Sequence, residues 1–93
     1  MAVRITLVFD ATADQYDQVN AKIGDDSPDG LIVHSAVDQG GTMKVVDIWE
    51  SEEKFGAFGQ ERLGPAIAEV MGDDGPTPNR EIEELHNYEV HGS

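Results

Sequence analysis

The stretch VVDIWESEEKFGAF, from Val45 to Phe58, contains the change from strand to helix on which the fold prediction depends. Its first residues are rich in β-branched side chains, which is typical of a strand. Ser51 follows with a side chain suited to a helix N-cap, and Glu52 and Glu53 place negative charge at the positive end of the helix dipole. The stretch therefore predicts a strand that passes directly into an acidic helix start.

Three other stretches also predict strands, because β-branched and apolar side chains alternate in them with polar ones. Two helices are predicted between the strands. Thr12 and Gln15 have the spacing of a capping box at the start of the first helix, and Gly24 marks its end. Gly64 and Pro65 interrupt the second helix, since proline removes a backbone hydrogen bond, and a kink or two consecutive helices are expected there. The predicted strands are Val3–Phe9, Leu31–Val37, Thr42–Glu50 and Arg80–Val90.

The element order is therefore β-α-β-β-α-β, which is the split βαβ or ferredoxin-like arrangement. It predicts an α+β fold with a four-stranded antiparallel sheet and both helices on one face. The chain of 93 residues is long enough for one domain, which we expect to span residues 1–93. A chain of this size buries a modest core, so association with a second copy would add to its stability.

The charge balance disfavours several kinds of partner. The 6 basic and 19 acidic residues give a formal net charge of −13, and both nucleic acid and anionic membrane surfaces are bound through clustered Lys and Arg. The absence of cysteine excludes disulfides and thiolate metal sites. No signal peptide and no apolar segment of membrane-spanning length is visible, so we expect a cytoplasmic protein.

One face of the predicted sheet is too apolar for open water and too polar for an ordinary core. We predict that Val46 and Ile48 face the helices, and that Asp47 and Trp49 face the opposite way. A second copy of the sheet or a ligand would then cover the opposite face, and we predict a homodimer that closes a barrel. The residues assigned to that face are Thr6, Val8, Ile32, His34, Val45, Asp47, Trp49, His86 and Tyr88.

The chain resembles the dimeric α/β-barrel superfamily, and within it the antibiotic biosynthesis monooxygenase-like domains. The resemblance rests on the element order, on VVDIWESEEKFGAF leading into ERLGPAIAEV, and on the closing HNYEV. It extends over roughly the whole chain and implies a homodimer with a ligand cleft in each protomer. Members of the superfamily include cofactor-independent oxygenases of polyketide quinols, haem-degrading enzymes, cyclases and stress-related proteins.

The haem-degrading members differ from this chain at the positions that define them. They use an Asn on the first strand and a haem-ligating His on the second helix. Here the stretch Val3–Phe9 contains no Asn, and residues 52–72 contain no His. The resemblance to the quinol oxygenases instead implies a cleft in which an Asn, a Trp and an Arg or Tyr hold the substrate. We therefore expect no bound cofactor.

His34, His86 and Asp47 are the candidate catalytic residues. Histidine titrates near neutral pH, and a buried carboxylate beside an aromatic residue gains a raised pKa and can act as a base. The structural alternatives are a hydrogen-bonded histidine on a half-buried strand, and an aspartate that is exposed or paired with Arg4. The two histidines and Asp47 would also suit a metal ion, but their spacing does not require one, and no metal is predicted.

Trp49, Tyr88, Phe58 and Thr6 are the candidate ligand-binding residues, since aromatic rings stack on planar ligands and carry polar tips for hydrogen bonds. Packing at a dimer interface explains Trp49 and Tyr88 equally well. We expect a monooxygenase-like enzyme without a bound cofactor. It would remove a proton from a hydrophobic, aromatic or polyketide-like molecule in an apolar pocket. The alternative is a non-catalytic ligand-binding or stress-associated dimer of the same fold.

Overall fold

The computed structural model describes residues 1–24, 26–72 and 77–91. Within them, four strands form one antiparallel sheet in the order β2-β3-β1-β4, and helices cover one of its faces. This is the predicted α+β, ferredoxin-like architecture. The strands are β1 (Val3–Phe9), β2 (Leu31–Asp38), β3 (Met43–Trp49) and β4 (Asn79–Glu84). The α-helices are α1 (Ala13–Ile23), α2 (Glu52–Phe58) and α3 (Gly64–Met71), with a π-helical segment, Gly59–Leu63, between α2 and α3.

Helices α1 and α2 begin where their sequences predict. The Thr12 hydroxyl oxygen accepts a hydrogen bond from the Gln15 backbone N–H at 3.2 Å, and the Gln15 side chain accepts one from the Thr12 N–H at 2.9 Å. Ser51 caps α2, because its hydroxyl oxygen accepts from the Lys54 N–H at 3.2 Å. These bonds satisfy backbone donors that the start of a helix leaves free. Both predicted caps are confirmed.

The predicted interruption at Gly64 and Pro65 takes the form of a π-helical turn. The Gly64 N–H donates to the Gly59 carbonyl, immediately before Pro65, which has no N–H to donate. Such turns occur as single bulges within α-helices. The segment also contacts α1, since Arg62 Nη2 donates to the Ile23 carbonyl oxygen at 2.5 Å. The π-helical segment thereby holds the end of α1 against the second helical region.

The two faces of the sheet are arranged differently from the prediction. Cross-strand partners lie on the same face of a sheet. The register between β1 and β3 pairs Ile5 with Asp47 and Val3 with Trp49. Because Val3 and Ile5 are buried in the core under the helices, Asp47 and Trp49 face the helices as well. The prediction that Asp47 and Trp49 face away from the helices is wrong.

The residues between them are correspondingly reversed. Val46 and Ile48, predicted to face the helices, are half-buried on the opposite side, which we call the outer face. Their partners on β1 are Thr6 and Arg4. The reason is the side-chain period of two: once Asp47 is turned inward by its cross-strand register, its neighbours must point outward.

A β-bulge in β2 adds to the difference. The register between β2 and β3 pairs Leu31 with Trp49, Val33 with Ile48 and His34 with Asp47, with an irregularity between Leu31 and Val33. A bulge inserts one extra residue into a strand and so changes which positions share a face. Leu31 and His34 therefore both face the helices although they are an odd number of residues apart. Simple alternation along β2 could not show this.

Strand β4 is shorter than predicted. Its ladder with β1 ends at the pair Val3 and Glu84, followed by one backbone hydrogen bond from the Leu85 N–H to the Ala2 carbonyl at 3.0 Å. Because β1 begins at Val3, no strand residue remains beside the continuation of β4. His86 and Tyr88 consequently lie in an exposed segment after the sheet, and the predicted strand as far as Val90 is wrong.

Trp49 occupies the centre of the core between sheet and helices. It has 0% exposed surface. Its ring packs against Phe55 and Phe58 of the next helix, with centroid distances of 5.6 Å and 5.2 Å. Tilted and edge-on aromatic pairs of this kind add to the stabilisation from area burial. The end of β3 and the start of α2 are thus joined through one cluster of rings.

Substitution of Gly30 should destabilise the fold. Gly30 has a φ of 92°, and a Cβ there would lie 2.5 Å from the Lys54 Cδ. We expect Gly30→Ala to lower the free energy of unfolding by at least about 1 kcal/mol, because an L-residue disfavours this backbone conformation. Urea denaturation followed by Trp49 fluorescence measures the change.

Gly56→Ala is the matched control for that substitution. Gly56 lies within α2, and a Cβ there has nothing within 4 Å. The same chemical change should raise the free energy of unfolding by about 0.5–1 kcal/mol, since glycine weakens a helix interior. Equal destabilisation of the two variants would contradict the backbone explanation.

Candidate functional site

A cavity of about 250 Å³ lies between the helix-facing side of the sheet and the helices. Side chains from β1, β2, β3, α1, α2 and α3 line it, and most of them are apolar. Its volume is slightly below the range typical of pockets for drug-sized molecules, which favours a small organic ligand. Three of the ionisable side chains in the lining, Tyr16, His34 and Asp47, are joined by hydrogen bonds.

Four side chains form one continuous hydrogen-bond chain beside the cavity. The Tyr16 hydroxyl oxygen lies 2.6 Å from His34 Nε2, and His34 Nδ1 lies 2.7 Å from Asp47 Oδ1. Trp49 Nε1 donates to Asp47 Oδ2 at 3.3 Å. We call this set Tyr16, His34, Asp47 and Trp49 the Tyr–His–Asp–Trp chain. Asp47 is only 5% exposed, so hydrogen bonds from His34 and Trp49 replace those that its carboxylate would form with water.

The secondary structure accounts for the position of each member. Asp47 and Trp49 are two residues apart on β3 and therefore point to one face. His34 lies directly opposite Asp47 on the neighbouring strand β2. Tyr16 lies in the first turns of α1, where its N–H donates to the Thr12 carbonyl at 3.0 Å. The capped start of α1 thus fixes the tyrosine above the strand that contains the histidine.

The carboxylate shifts the proton affinities of its neighbours. The hydrogen bond to Asp47 raises the pKa of His34 and outweighs burial, which acts in the opposite direction. Burial raises the pKa of Tyr16, and the negative charges of Asp47 and Asp17 add to this effect. His34 is therefore a stronger base than a free histidine, whereas Tyr16 is held as a neutral hydroxyl rather than a phenolate.

Several candidate residues from the sequence are brought together at the cavity. His34, Asp47, Trp49 and Phe58 all lie in its lining. The predicted alternative for the aspartate, an ion pair with Arg4, does not form, because the Arg4 guanidinium lies 2.6 Å from Glu83 instead. The catalytic and ligand-binding roles assigned to these residues stay predictions, but they now refer to one place in the molecule.

The remaining candidates lie elsewhere. Thr6 is on the outer face, opposite Val46 of β3. His86 and Tyr88 are exposed in the segment after β4 and are absent from the lining of the cavity. His34 and His86 consequently do not form the joint acid–base site that a shared sheet face would allow.

Tyr16 is the member of the hydrogen-bond chain that sequence reasoning missed. Its spacing with Val19 and Ile23 predicts an ordinary apolar stripe on a helix. The feature that could have identified it is the hydroxyl itself, because a tyrosine on the sheet-facing side of a helix needs a partner for its O–H. In this fold the partner is supplied by β2.

Two further properties concern the described part of the chain. Within residues 1–24, 26–72 and 77–91, no group of three or more His, Asp or Glu side chains is arranged to hold a metal ion. Over the same ranges, none of the helices combines the length and apolar character needed to cross a bilayer.

Comparison with known proteins gives matches to solved structures only. No family model and no curated protein sequence matches the chain. A protein of unknown function from Nitrosomonas europaea, NE2512, shares the fold with a TM-score of 0.73 at 18% identity, over 99% of this chain and 96% of its own.

Several structural neighbours are named as oxygenases or monooxygenases, and two of these come from Streptomyces. SnoaB from Streptomyces nogalater, a cofactor-independent oxygenase, matches with a TM-score of 0.63 and 11% identity, over 94% of this chain and 95% of its own. The monooxygenase ActVA-Orf6 of Streptomyces coelicolor, solved with nanaomycin D, matches with a TM-score of 0.56 and 19% identity, over 98% of this chain and 91% of its own. Proteins named as antibiotic biosynthesis monooxygenases from Chloroflexus aurantiacus and Deinococcus radiodurans match with TM-scores of 0.64 and 0.62 at 14% and 13% identity, so this chain shares their fold. The resemblance inferred from sequence is confirmed at the level of fold.

The pKa of His34 should fall when Asp47 loses its charge. We expect Asp47→Asn to move the titration of His34 to lower pH, because the hydrogen bond to a carboxylate favours the imidazolium. Proton NMR of the imidazole C–H signals across the titration measures the change. Glu83→Gln is the control, since it removes the same charge from the outer face, where Glu83 pairs with Arg4. A His34 titration that is unchanged in Asp47→Asn would contradict this assignment.

The same pair makes stability depend on pH with a definite sign. Because the pKa of His34 is raised in the folded protein, the imidazolium–carboxylate pair contributes its full stabilisation below the pKa of an unfolded histidine. This contribution is lost as the pH rises through the raised pKa of the folded state. This pH-dependent contribution to the free energy of unfolding should be reduced or absent in Asp47→Asn and retained in Glu83→Gln.

Proposed function

We propose that this protein is a monooxygenase-like enzyme without a bound cofactor, which removes a proton from a hydrophobic aromatic molecule in its cavity. The observation that carries the proposal is the Tyr–His–Asp–Trp chain beside an otherwise mostly apolar cavity. Asp47 is buried whereas His34 is exposed, so the base is oriented by a buried charge and is accessible to a substrate. An acidic phenol or enol is the kind of group that such a base would ionise.

His34 is the proposed proton acceptor. Asp47 Oδ1 lies 2.7 Å from His34 Nδ1, which favours the tautomer with its proton on Nδ1 and leaves Nε2 as the basic nitrogen. The carboxylate then stabilises the imidazolium that forms when a proton is taken up. Phe58 would pack against the aromatic substrate, and Trp49 would hold the second oxygen of Asp47.

Molecular oxygen is the proposed co-substrate. Deprotonation of an electron-rich phenol or enol gives an anion that is oxidised by O₂ more readily than the neutral molecule. The stated activities of SnoaB and ActVA-Orf6 support this class of reaction for a chain of the same fold. The apolar lining supports an aromatic or polyketide-like substrate, because planar ring systems bury mostly apolar surface.

Oxygen uptake with 1,8-dihydroxyanthrone tests the proposed reaction. We expect the wild-type protein to consume oxygen with this compound in the absence of added metal or cofactor. His34→Gln should lower kcat by about 10²–10⁴-fold, the range usual for loss of a general base. An oxygen electrode gives the rates, and His91→Gln, which alters an exposed histidine, should retain the wild-type rate. Equal rates for the wild type and His34→Gln would contradict the role of His34.

A second candidate function is that of a ligand-binding protein without catalysis. One observation favours it: both ring nitrogens of His34 already have partners within the chain. Under this function an aromatic ligand would quench Trp49 fluorescence, while no oxygen would be consumed and the ligand would keep its proton. The two candidates therefore differ in the fate of the bound proton.

We also propose that a second copy of the chain covers the outer face of the sheet. The half-buried side chains Val8, Val46 and Ile48 give this face an apolar centre. Lys44 and Glu81 also lie on this face, on the two strands that flank β1. A two-fold arrangement would let Lys44 of one copy approach Glu81 of the other, so the face has a self-complementary charge pattern.

Light scattering tests this association. We expect the wild-type protein to have twice the mass of the monomer at micromolar concentration. Val46→Glu should shift the mass toward that of the monomer, because a charge at the centre of the interface would be desolvated. Ala57→Glu adds the same charge at an exposed helix position and should leave the mass unchanged. A wild-type protein that is a strict monomer would rule out the proposed interface.

A further inference from the structure

The hydrogen-bonding capacity of the Tyr–His–Asp–Trp chain is used unequally along its length. Each oxygen of Asp47 has a partner, and the residue is almost fully buried. Each ring nitrogen of His34 has a partner as well. A tyrosine hydroxyl has one donor and two acceptor positions, yet within the described residues the Tyr16 hydroxyl forms a hydrogen bond only with His34. The unused capacity therefore lies at the tyrosine end.

We infer that Tyr16 is the catalytic residue that contacts the acidic hydroxyl of the substrate, with His34 and Asp47 acting through it. The inference rests on the proposed function and names the group that meets the substrate. Direct abstraction of the substrate proton by His34 would require the 2.6 Å hydrogen bond between His34 and Tyr16 to break first. Transfer through Tyr16 uses the bonds that already exist.

The proton transfer balances without any further reactant. The O–H bond of the substrate breaks as its proton passes to the Tyr16 oxygen, and the original proton of Tyr16 passes to His34 Nε2. The electron pair of the broken bond stays on the substrate oxygen. The products are a substrate anion and an imidazolium beside the Asp47 carboxylate, while Tyr16 is neutral before and after the step.

The geometry of the tyrosine suits this relay. The Tyr16 and His34 rings are nearly parallel, with an interplanar angle of 11° and centroids 6.3 Å apart. At 2.6 Å, the distance from the Tyr16 oxygen to His34 Nε2 is at the short end of the range for hydrogen bonds in proteins. Tyr16 is half-buried in the lining of the cavity. Because the hydrogen bond between the Tyr16 hydroxyl and His34 is itself exposed, a ligand can approach the hydroxyl while that bond is kept.

Burial also explains why Tyr16 would relay a proton rather than store a charge. Its pKa is raised by burial and by the nearby carboxylates, so a lasting phenolate at this position is disfavoured. In the relay the positive charge appears on His34, next to the carboxylate that stabilises it. The Tyr16 oxygen would thus accept the substrate proton while the resulting positive charge is located on His34.

The probe for this inference is 4-nitrophenol, because its phenol and phenolate absorb at different wavelengths. In the wild-type protein we expect bound 4-nitrophenol to be ionised at pH values at which the free compound is mainly protonated. Tyr16→Phe keeps the ring but removes the hydroxyl. It should bind about 2–10-fold more weakly, the effect of losing one hydrogen bond, and should leave the bound phenol protonated. Quenching of Trp49 fluorescence measures binding, and absorbance measures ionisation.

His34→Gln separates the outcomes. Loss of ionisation in both Tyr16→Phe and His34→Gln, with binding retained, would support the relay. Wild-type ionisation in Tyr16→Phe together with its loss in His34→Gln would overturn the inference and leave the proposed function standing, since His34 would then take the proton directly. Failure of the wild-type protein to bind or to ionise 4-nitrophenol would overturn the proposed function and the inference with it.

A measurement on the unsubstituted sequence guards against a Tyr16→Phe variant that fails to fold. The chain has two tyrosines, so incorporation of 3-fluorotyrosine gives two ¹⁹F NMR signals. We expect 4-nitrophenol to shift the Tyr16 signal and to leave that of Tyr88, outside the cavity lining, in place. Binding without any shift of the Tyr16 signal would overturn the inference.

Discussion

The buried carboxylate of Asp47 is the group on which the rest of the site depends. An unpaired carboxylate in an apolar interior is very costly, because it loses its hydration without gaining a partner. Asp47 avoids this cost because His34 and Trp49 each bind one of its oxygens. Trp49 also packs against Phe55 and Phe58. The charge that orients the histidine is therefore connected to the aromatic cluster that holds α2 to the sheet.

This arrangement requires one particular register of three strands. A slip of one residue in β3 would exchange Asp47 for Val46 or Ile48 and place the carboxylate on the outer face. The opposite residue on β1, Ile5, has 0% exposed surface, and Trp49 lies opposite Val3 and Leu31. Packing of these apolar residues fixes the register, and the polar chain is positioned as a consequence.

The features of the fold that depend on neighbouring residues in the sequence could be predicted. The caps at Thr12 and Ser51 and the interruption at Pro65 follow from local hydrogen-bonding rules. The element order follows from these signals together with the alternating pattern of the strands. The sheet faces could not be predicted in the same way. In the run Val45, Val46, Asp47 and Ile48, both faces of the strand contain apolar side chains. The polar residue Asp47 then suggests that its face points away from the core, because its partner on the neighbouring strand cannot be known from the sequence. The bulge in β2 has no sequence pattern of its own.

The candidate site shows the same limit. His34 and Asp47 could be selected by residue type, since few side chains titrate near neutral pH, but only the register of β2 and β3 places them opposite each other. Tyr16 has the helical spacing of a core residue, and its partner comes from a different element. The predicted last strand, which contains His86 and Tyr88, extends beyond the last residue that β1 can pair. Local pattern identifies suitable groups, and long-range pairing decides which of them meet.

The pairing that stabilises the folded chain also bears on its proposed chemistry. A raised pKa means that the protein binds a proton at His34 more tightly than an unfolded histidine would. In the proposed reaction, proton abstraction would convert a neutral imidazole into the imidazolium that Asp47 favours, so the charge state formed would be the one that the fold stabilises more. The favourable energy of the pair would thus be realised when the proton arrives on a neutral imidazole. Interactions that strengthen during a reaction lower its barrier, whereas those present equally before and after it do not.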